Sequence, residues 1–244
     1  MPESKSVNLT KRAVYELRQK IIHGGLPGGT RLYEVALSEE LQISRTPVRE
    51  AMSRLAEEGL LERAPGGGFQ VRSFSLRDVV DAIELRGVLE GTAVRLAAEQ
   101  GASSDKLMEI KGILDQLDGC FAKTNAPVDF DSYSELNALF HARLADLCES
   151  PVILRELERV RSLPFASPSA FVLGQSDVAG SHQSLVMAQS QHRALVRAIE
   201  GREGSRAESI AREHARIARA NLEEAFDIGA KGAEGVPGLG LIVR

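Results

Sequence analysis

Between Arg45 and Gly59 the apolar residues Val48, Met52 and Leu55 recur at i, i+4 and i+7, the period of a helix with one buried stripe. Arg45, Arg49 and Ser53 fall on another face at spacing four. Ser44 stands at the N-cap position, Pro47 falls in the first turn where a missing N–H costs little, and Gly59 stops the helix. Upstream, Glu34 to Gln42 predicts a short helix with Val35, Leu37 and Leu41 turned toward the next one. The short connection between the two is that of a helix-turn-helix. A further helix over about Lys11 to His23 presents Val14, Leu17, Ile21 and Ile22 on one face and ends at Gly24-Gly25. Pro27-Gly28-Gly29 then turns the chain into a strand at Thr30–Leu32. Downstream, Leu60–Arg63 and Phe69–Arg72 flank Ala64-Pro-Gly-Gly-Gly68, which predicts a β-hairpin wing.

After Ser73 the pattern changes to long amphipathic helices, predicted at about 75–100, 104–123, 129–148, 151–161, 183–200 and 204–227. The first carries Val79, Ile83, Leu85, Val88, Leu89, Val94 and Leu96 at helical spacing, opened by a Ser75-x-x-Asp78 capping box. Ser150-Pro151 opens another helix. Leu163 to Ser181 holds prolines, glycines and small residues and predicts an irregular stretch with one short helix near Ala170. The expected fold is mainly α. A winged helix-turn-helix with a small β-hairpin wing occupies residues 1–73, and an all-α bundle of about six helices occupies 74–228. A Gly-rich tail follows over 229–244, within which Leu239–Val243 can dock.

Composition narrows the class. Of 244 residues 26% are charged and 43% hydrophobic, as in a globular protein with room for two cores. No apolar run approaches the ~20 residues of a membrane span, and no secretory signal is visible, so the expected location is the cytoplasm. The two cysteines, Cys120 and Cys148, fit reduced thiols rather than a disulfide framework. The net charge is −4. Yet residues 1–74 carry 11 Lys/Arg against 9 Asp/Glu, and the acid lies in the second domain. A mild positive balance suffices for DNA when the arginines are clustered.

Two arginines one turn apart near a helix N-terminus can enter a major groove and donate bidentately to guanine O6 and N7. In the second domain His141, His192 and His214 each lie on the buried stripe of a different helix. Each alone fits a core position, while three converging in one bundle also fit a shared metal site, and both readings stand. His23 and His182 read as surface residues. Arg86 fits either an ion pair with Glu90 one turn later or a contact to a carboxylate ligand.

The stretches Ile22–Leu32, Ser44–Ala51 and Leu55–Leu60 resemble the winged helix-turn-helix of the GntR family of bacterial transcription regulators, over about residues 8–73. The resemblance implies that Arg45, Thr46 and Arg49 contact bases or nearby phosphates and that Gly66 approaches the minor groove. Arg54 and Arg63 are implied as backbone contacts. Glu84–Glu90, Asn137–His141, Gln191–Leu195 and Arg212–His214 resemble the helical FCD effector domain of the FadR subfamily, and the helix count resembles its VanR-like branch. In many such domains an Asp precedes the first histidine by four residues and completes a three-His, one-carboxylate site. This chain has Asn137 there, a neutral and weaker donor. The implied metal set is Asn137, His141, His192 and His214, with Zn²⁺ or Ni²⁺ as the ion. Arg86 and Asn221 are implied as effector contacts, the effector being a small organic acid, aromatic and vanillate-like by local similarity. The expectation is a homodimeric repressor of a catabolic operon, reading an inverted repeat in double-stranded DNA and released by its ligand. Three other readings remain. One is a metal sensor, one a constitutive DNA binder, and one a helical metalloenzyme, although no glutamate stands as a general base in a His-Glu-x-x-His motif.

Overall fold

A computed structural model describes residues 2–121, 128–163, 165–169, 181–228 and 238–243. The chain divides into two compact units, one of residues 1–79, 162–164 and 237–244, the other of 80–161 and 165–236.

The first unit starts with α1 (Pro2–Ile22), which begins well upstream of the expected Lys11. Strand β1 (Arg31–Leu32), α2 (Glu34–Leu41) and α3 (Arg45–Glu57) follow, then the hairpin β2 (Leu61–Arg63) and β3 (Phe69–Val71). The antiparallel sheet has the order β1-β3-β2, with Leu61 opposite Val71 and Leu32 opposite Phe69. Leu17, Ile21, Val48, Met52, Leu55 and Val71 are all buried. Each large apolar chain so placed contributes about 1.5–3 kcal/mol relative to exposure. Thr10 Oγ1 donates to Glu50 Oε2 at 2.8 Å and pins α1 to α3.

Two local expectations fail, and the stop at Gly59 holds. Val35 is exposed, so α2 packs through Leu37 and Leu41 alone. Ser44 has extended cap geometry, but its side chain makes no cap hydrogen bond. Gly59 follows the helix with φ +79°, and Leu60 N bonds Leu55 O across it at 2.9 Å. The closure of α3 is therefore a left-handed glycine cap.

The same unit contains β4 (Phe74–Ser75) and, from the other end of the chain, a 3-10 turn (Leu239–Leu241) and β5 (Ile242–Val243). Strand β5 pairs with β4 in parallel, Phe74 opposite Ile242, and Gly238 N donates to Ile22 O. Leu241 is buried. This is the docking expected of Leu239–Val243, and residues 229–237 lie outside the described ones.

Helix α4 (Leu76–Gln100) opens on the anticipated box: Asp78 N donates to Ser75 Oγ and Ser75 N to Asp78 Oδ2, both at 3.1 Å. The division between units falls within it. The second unit continues with α5 (Ser104–Gly119), α6 (Phe130–Asp146), α7 (Pro151–Arg161), α8 (Ser181–Glu200) and α9 (Gly204–Ile228). Asp129 caps α6 by accepting from Ser132 N at 3.1 Å. The core of this unit joins Val94, Ile110, Leu117, Phe140, Leu195 and Ile199 from four helices. Gly87 lets α4 lie close to α9: a Cβ there would sit 2.8 Å from Ala215 Cβ. Leu85 and Val88, expected on the core stripe of α4, are 48% and 38% exposed. The short helix expected near Ala170 lies outside the described residues.

Candidate DNA-reading face and histidine centre

Burial of Val48, Met52 and Leu55 rotates α3 so that Arg45, Thr46 and Arg49 face outward. The arginines have a partner that sequence reasoning missed. Glu34, in the first turn of α2, accepts from Arg49 Nε and Nη2, both at 2.7 Å, and lies 3.5 Å from Arg45 Nη2. These hydrogen bonds from Arg49 hold the Glu34 carboxyl below its ordinary range, against the opposing effect of burial. In the wing, Gly66, Gly67 and Gly68 all have positive φ, conformations that side chains resist. Arg31 reaches over from β1 and donates to Gly67 O at 2.9 Å, bracing the tip. Arg63 stacks over Phe69, 4.4 Å from its ring centre. Arg54 is exposed on the third turn of α3. All six sequence-derived positions, Arg45, Thr46, Arg49, Arg54, Arg63 and Gly66, are thus exposed on the first unit.

In the second unit His141 from α6, His192 from α8 and His214 from α9 converge. His192 Nε2 lies 3.1 Å from His214 Nε2, which lies 3.2 Å from His141 Nε2. All three are buried. Their outer nitrogens explain the orientation. Gln189 donates its amide to Asp118 Oδ1 at 2.6 Å and Leu114 O at 3.3 Å. Its carbonyl is left to face His192 Nδ1 at 3.0 Å. His192 therefore carries its proton on Nδ1 and turns a bare Nε2 inward. His214 Nδ1 faces Gln191 Oε1 at 3.1 Å, and a proton on that nitrogen would likewise leave its Nε2 bare. His141 Nδ1 lies 3.4 Å from Glu90 Oε1, too long for a well-formed hydrogen bond, and makes no other.

Bare imidazole nitrogens at such distances repel unless a cation lies among them. Zinc–nitrogen bonds of about 2.0–2.1 Å in tetrahedral geometry place ligand nitrogens roughly 3.4 Å apart, close to the two distances from His214, and all three ligand atoms lie within 4.8 Å of one another. The three residues present fit a divalent ion. Burial holds all three imidazoles toward the neutral form that a metal needs, and pushes His214 down to about 3.

Beside His214 lies a cavity of ≈ 410 Å³ empty volume, part of it open to solvent, lined also by Arg86, Tyr133, Asn137, Pro168, Ser184, Ile217 and Asn221. Arg86 is almost wholly buried. It donates from Nη1 to Ala166 O at 3.0 Å, while its Nε lies 3.9 Å from Glu90 Oε2 and makes no hydrogen bond. Arg86 thus stands both near Glu90 and on the wall of the cavity. Arg161 donates to Glu90 Oε1 at 2.6 Å and to His141 O at 3.2 Å. Burial alone would raise the Glu90 pKa, but His141 when it is protonated, together with the Arg161 and Arg86 guanidiniums, outweighs it and holds the group well below its ordinary value. Asn137 turns its amide nitrogen toward Pro168 O (3.2 Å) and Ser169 Oγ (3.1 Å). The Tyr133 hydroxyl is buried without a hydrogen-bond partner. Asn221 Oδ1 accepts from Ser184 at 2.9 Å.

The first unit and the second each match a known family. Residues 9–71 match the bacterial regulatory proteins of the gntR family, and residues 81–216 match the FCD domain. The Nta operon transcriptional regulator of Aminobacter aminovorans is 33% identical over 137 residues, 54% of this chain and 62% of that protein. The chain thus spans under two thirds of that relative's length in the match. The HTH-type transcriptional regulator McbR of Escherichia coli is 31% identical over 64% of this chain and 68% of its own. A probable D-xylose utilization operon transcriptional repressor of Paenarthrobacter nicotinovorans is 29% identical over 80% of each. The solved structure of E. coli McbR/YncC superposes with a TM-score of 0.66 at 23% identity, covering 89% of this chain and 98% of that one, a likeness of fold.

Proposed function

The chain belongs to the gntR family of bacterial regulatory proteins, in the branch with an FCD domain behind the reader, and on that premise we propose that a small organic anion, held beside a metal ion in the helical unit, switches its DNA binding. Membership makes it a DNA-binding transcription regulator of FadR-like arrangement and not an enzyme. No helix among the described residues is long and apolar enough to cross a membrane.

The observation that carries the ligand reading is the charge of Arg86 on the cavity wall. The one carboxylate Arg86 faces, Glu90, is shared with a second guanidinium, that of Arg161. A buried site with surplus positive charge favours an anion. His141, His192 and His214 would hold the ion, zinc or nickel by donor type. A divalent ion there supplies an electrophilic point for a ligand oxygen. Asn137 brings no charge, so the anionic donor is left to the ligand. Arg86 and Asn221, both on the cavity wall, are assigned to bind its carboxylate. The local sequence similarity supports an aromatic, vanillate-like acid. The relative named as a probable D-xylose utilization operon repressor supports a repressor of a catabolic operon, acting as a homodimer on an inverted repeat. Arg45, Thr46 and Arg49 are assigned to bases or nearby phosphates, Gly66 to the minor groove and Arg54 and Arg63 to the backbone.

The test uses a duplex that the protein selects from a random pool. Its release is followed by fluorescence anisotropy with zinc or nickel alone, with vanillate, benzoate or glycolate alone, and with each pair. Release by an acid that depends on the loaded metal supports the proposal. Release by metal alone makes the ion the signal. No response to any combination makes the helical unit a constitutive partner of the reader and sinks the ligand reading.

A further inference from the structure

Glu34 and Arg49 stand 15 positions apart in the chain and are joined through two parallel hydrogen bonds of 2.7 Å. The carboxylate takes the side edge of the guanidinium, Nε and Nη2. A guanidinium has another pair of parallel N–H groups, on its terminal edge between Nη1 and Nη2, and this edge also matches guanine O6 and N7. With the side edge held, the terminal edge is the bidentate edge left to a base. The carboxylate is the more buried partner: its side chain is 25% exposed, against 61% for Arg49 and 60% for Arg45. It lies behind the arginines rather than in front of them.

Two consequences follow for DNA. An arginine already held in one orientation gives up less freedom when it docks, and gives it up only for the base that suits that orientation. The same carboxylate also places a negative charge at the face that any duplex must approach. Sequence-independent binding depends on phosphate charge neutralised by the protein, so that charge weakens binding to every sequence. Only a base contact that Arg49 can make in its held pose offsets the penalty.

We propose that Glu34 is a specificity-determining residue of the reader, which positions Arg49 to offer its terminal edge to one base and, by its charge, weakens binding to DNA that does not reward that pose. This rests on the assignment of Arg49 as a base contact.

The experiment compares the duplex selected by the wild-type chain with a shuffled duplex of equal length, by anisotropy over a range of salt, for wild type, Glu34→Gln and Glu34→Asp. Thermal unfolding accompanies each variant. Glu34→Gln is expected to bind the shuffled duplex several-fold more tightly and to lower the ratio of the two affinities about tenfold, as loss of one fixed bidentate contact allows. Its salt dependence on shuffled DNA becomes steeper. Glu34→Asp keeps the charge but shortens the reach, so the ratio falls without the gain on shuffled DNA. An unchanged ratio in Glu34→Gln overturns the role of Glu34. An equal loss on both duplexes with a lowered Tm also overturns it and leaves a structural ion pair. If the wild type selects no sequence at all, the base-reading assignment fails, and this proposal with it.

Discussion

His192 and His214 come from different helices and bring their Nε2 atoms within 3.1 Å of each other. Their outer Nδ1 atoms face Gln189 Oε1 and Gln191 Oε1. Protons held on those outer nitrogens leave both Nε2 lone pairs to a cation. His192→Ala is expected to abolish zinc binding, and Gln189→Leu to weaken it about 10–100-fold, the usual cost of losing such an outer partner. Equilibrium dialysis with elemental analysis reads both. Zinc binding that survives His192→Ala at full strength would place the ion elsewhere.

Acid should destabilise the metal-free protein through the same residues. Burial lowers the folded-state pKa of His192 and His214, the latter to about 3, from an ordinary 6.5. Below about 6.5 the unfolded chain binds protons that the folded chain refuses, so stability falls as pH falls toward the folded value. Urea unfolding of the chelated protein between pH 7 and 4.5 should show a declining midpoint. His214→Gln is expected to flatten part of that decline. A midpoint slope identical in His214→Gln would remove His214 from the account.

Asn137→Asp is expected to do two things at once. It adds a charged oxygen near the imidazoles and tightens zinc binding. It also deletes the amide donors to Pro168 O and Ser169 Oγ and sets oxygen against oxygen. The loss is about 1–3 kcal/mol in the metal-free state, the usual cost of breaking such a buried contact. Denaturant titration with and without zinc separates the terms. A variant more stable than wild type when chelated would contradict the assigned hydrogen bonds.

Leu85 and Val88 are exposed near one another on α4. The expected homodimer gives them a place, because a two-fold interface buries the same patch on both copies. Leu85→Glu with Val88→Glu should shift sedimentation at micromolar concentration from dimer to monomer. A dimer untouched by both charges would have to use another face.

Much of this was legible because it is periodic. Val48, Met52 and Leu55 mark a helix by spacing alone, and the same spacing sends Arg45 and Arg49 outward. Inward histidines on three helices are visible for the same reason. The losses also have physical causes. Glu34 meets Arg49 and Gln189 meets Asp118 only after folding, across 15 and 71 positions, and no local pattern encodes such pairs. The start of α1 carries few apolar residues, so its period is silent before Thr10. Leu85 and Val88 match the apolar period of α4 but lie outside its core face. An apolar residue signals that something can cover it, not which chain does so.

The parallel pairing of Phe74 with Ile242 has a consequence for the order of events in synthesis. The sheet of β1, β2 and β3 and the helices packed on it are complete once residue 71 has left the ribosome. The partners of Phe74 and Ile22 emerge only after every helix of the second unit. Closing so long a loop has an entropic cost that grows slowly with its length, and contacts of such separation form late in folding. During that interval Phe74 lacks its strand partner. The reader is the first part of the molecule to begin folding and the last to be finished.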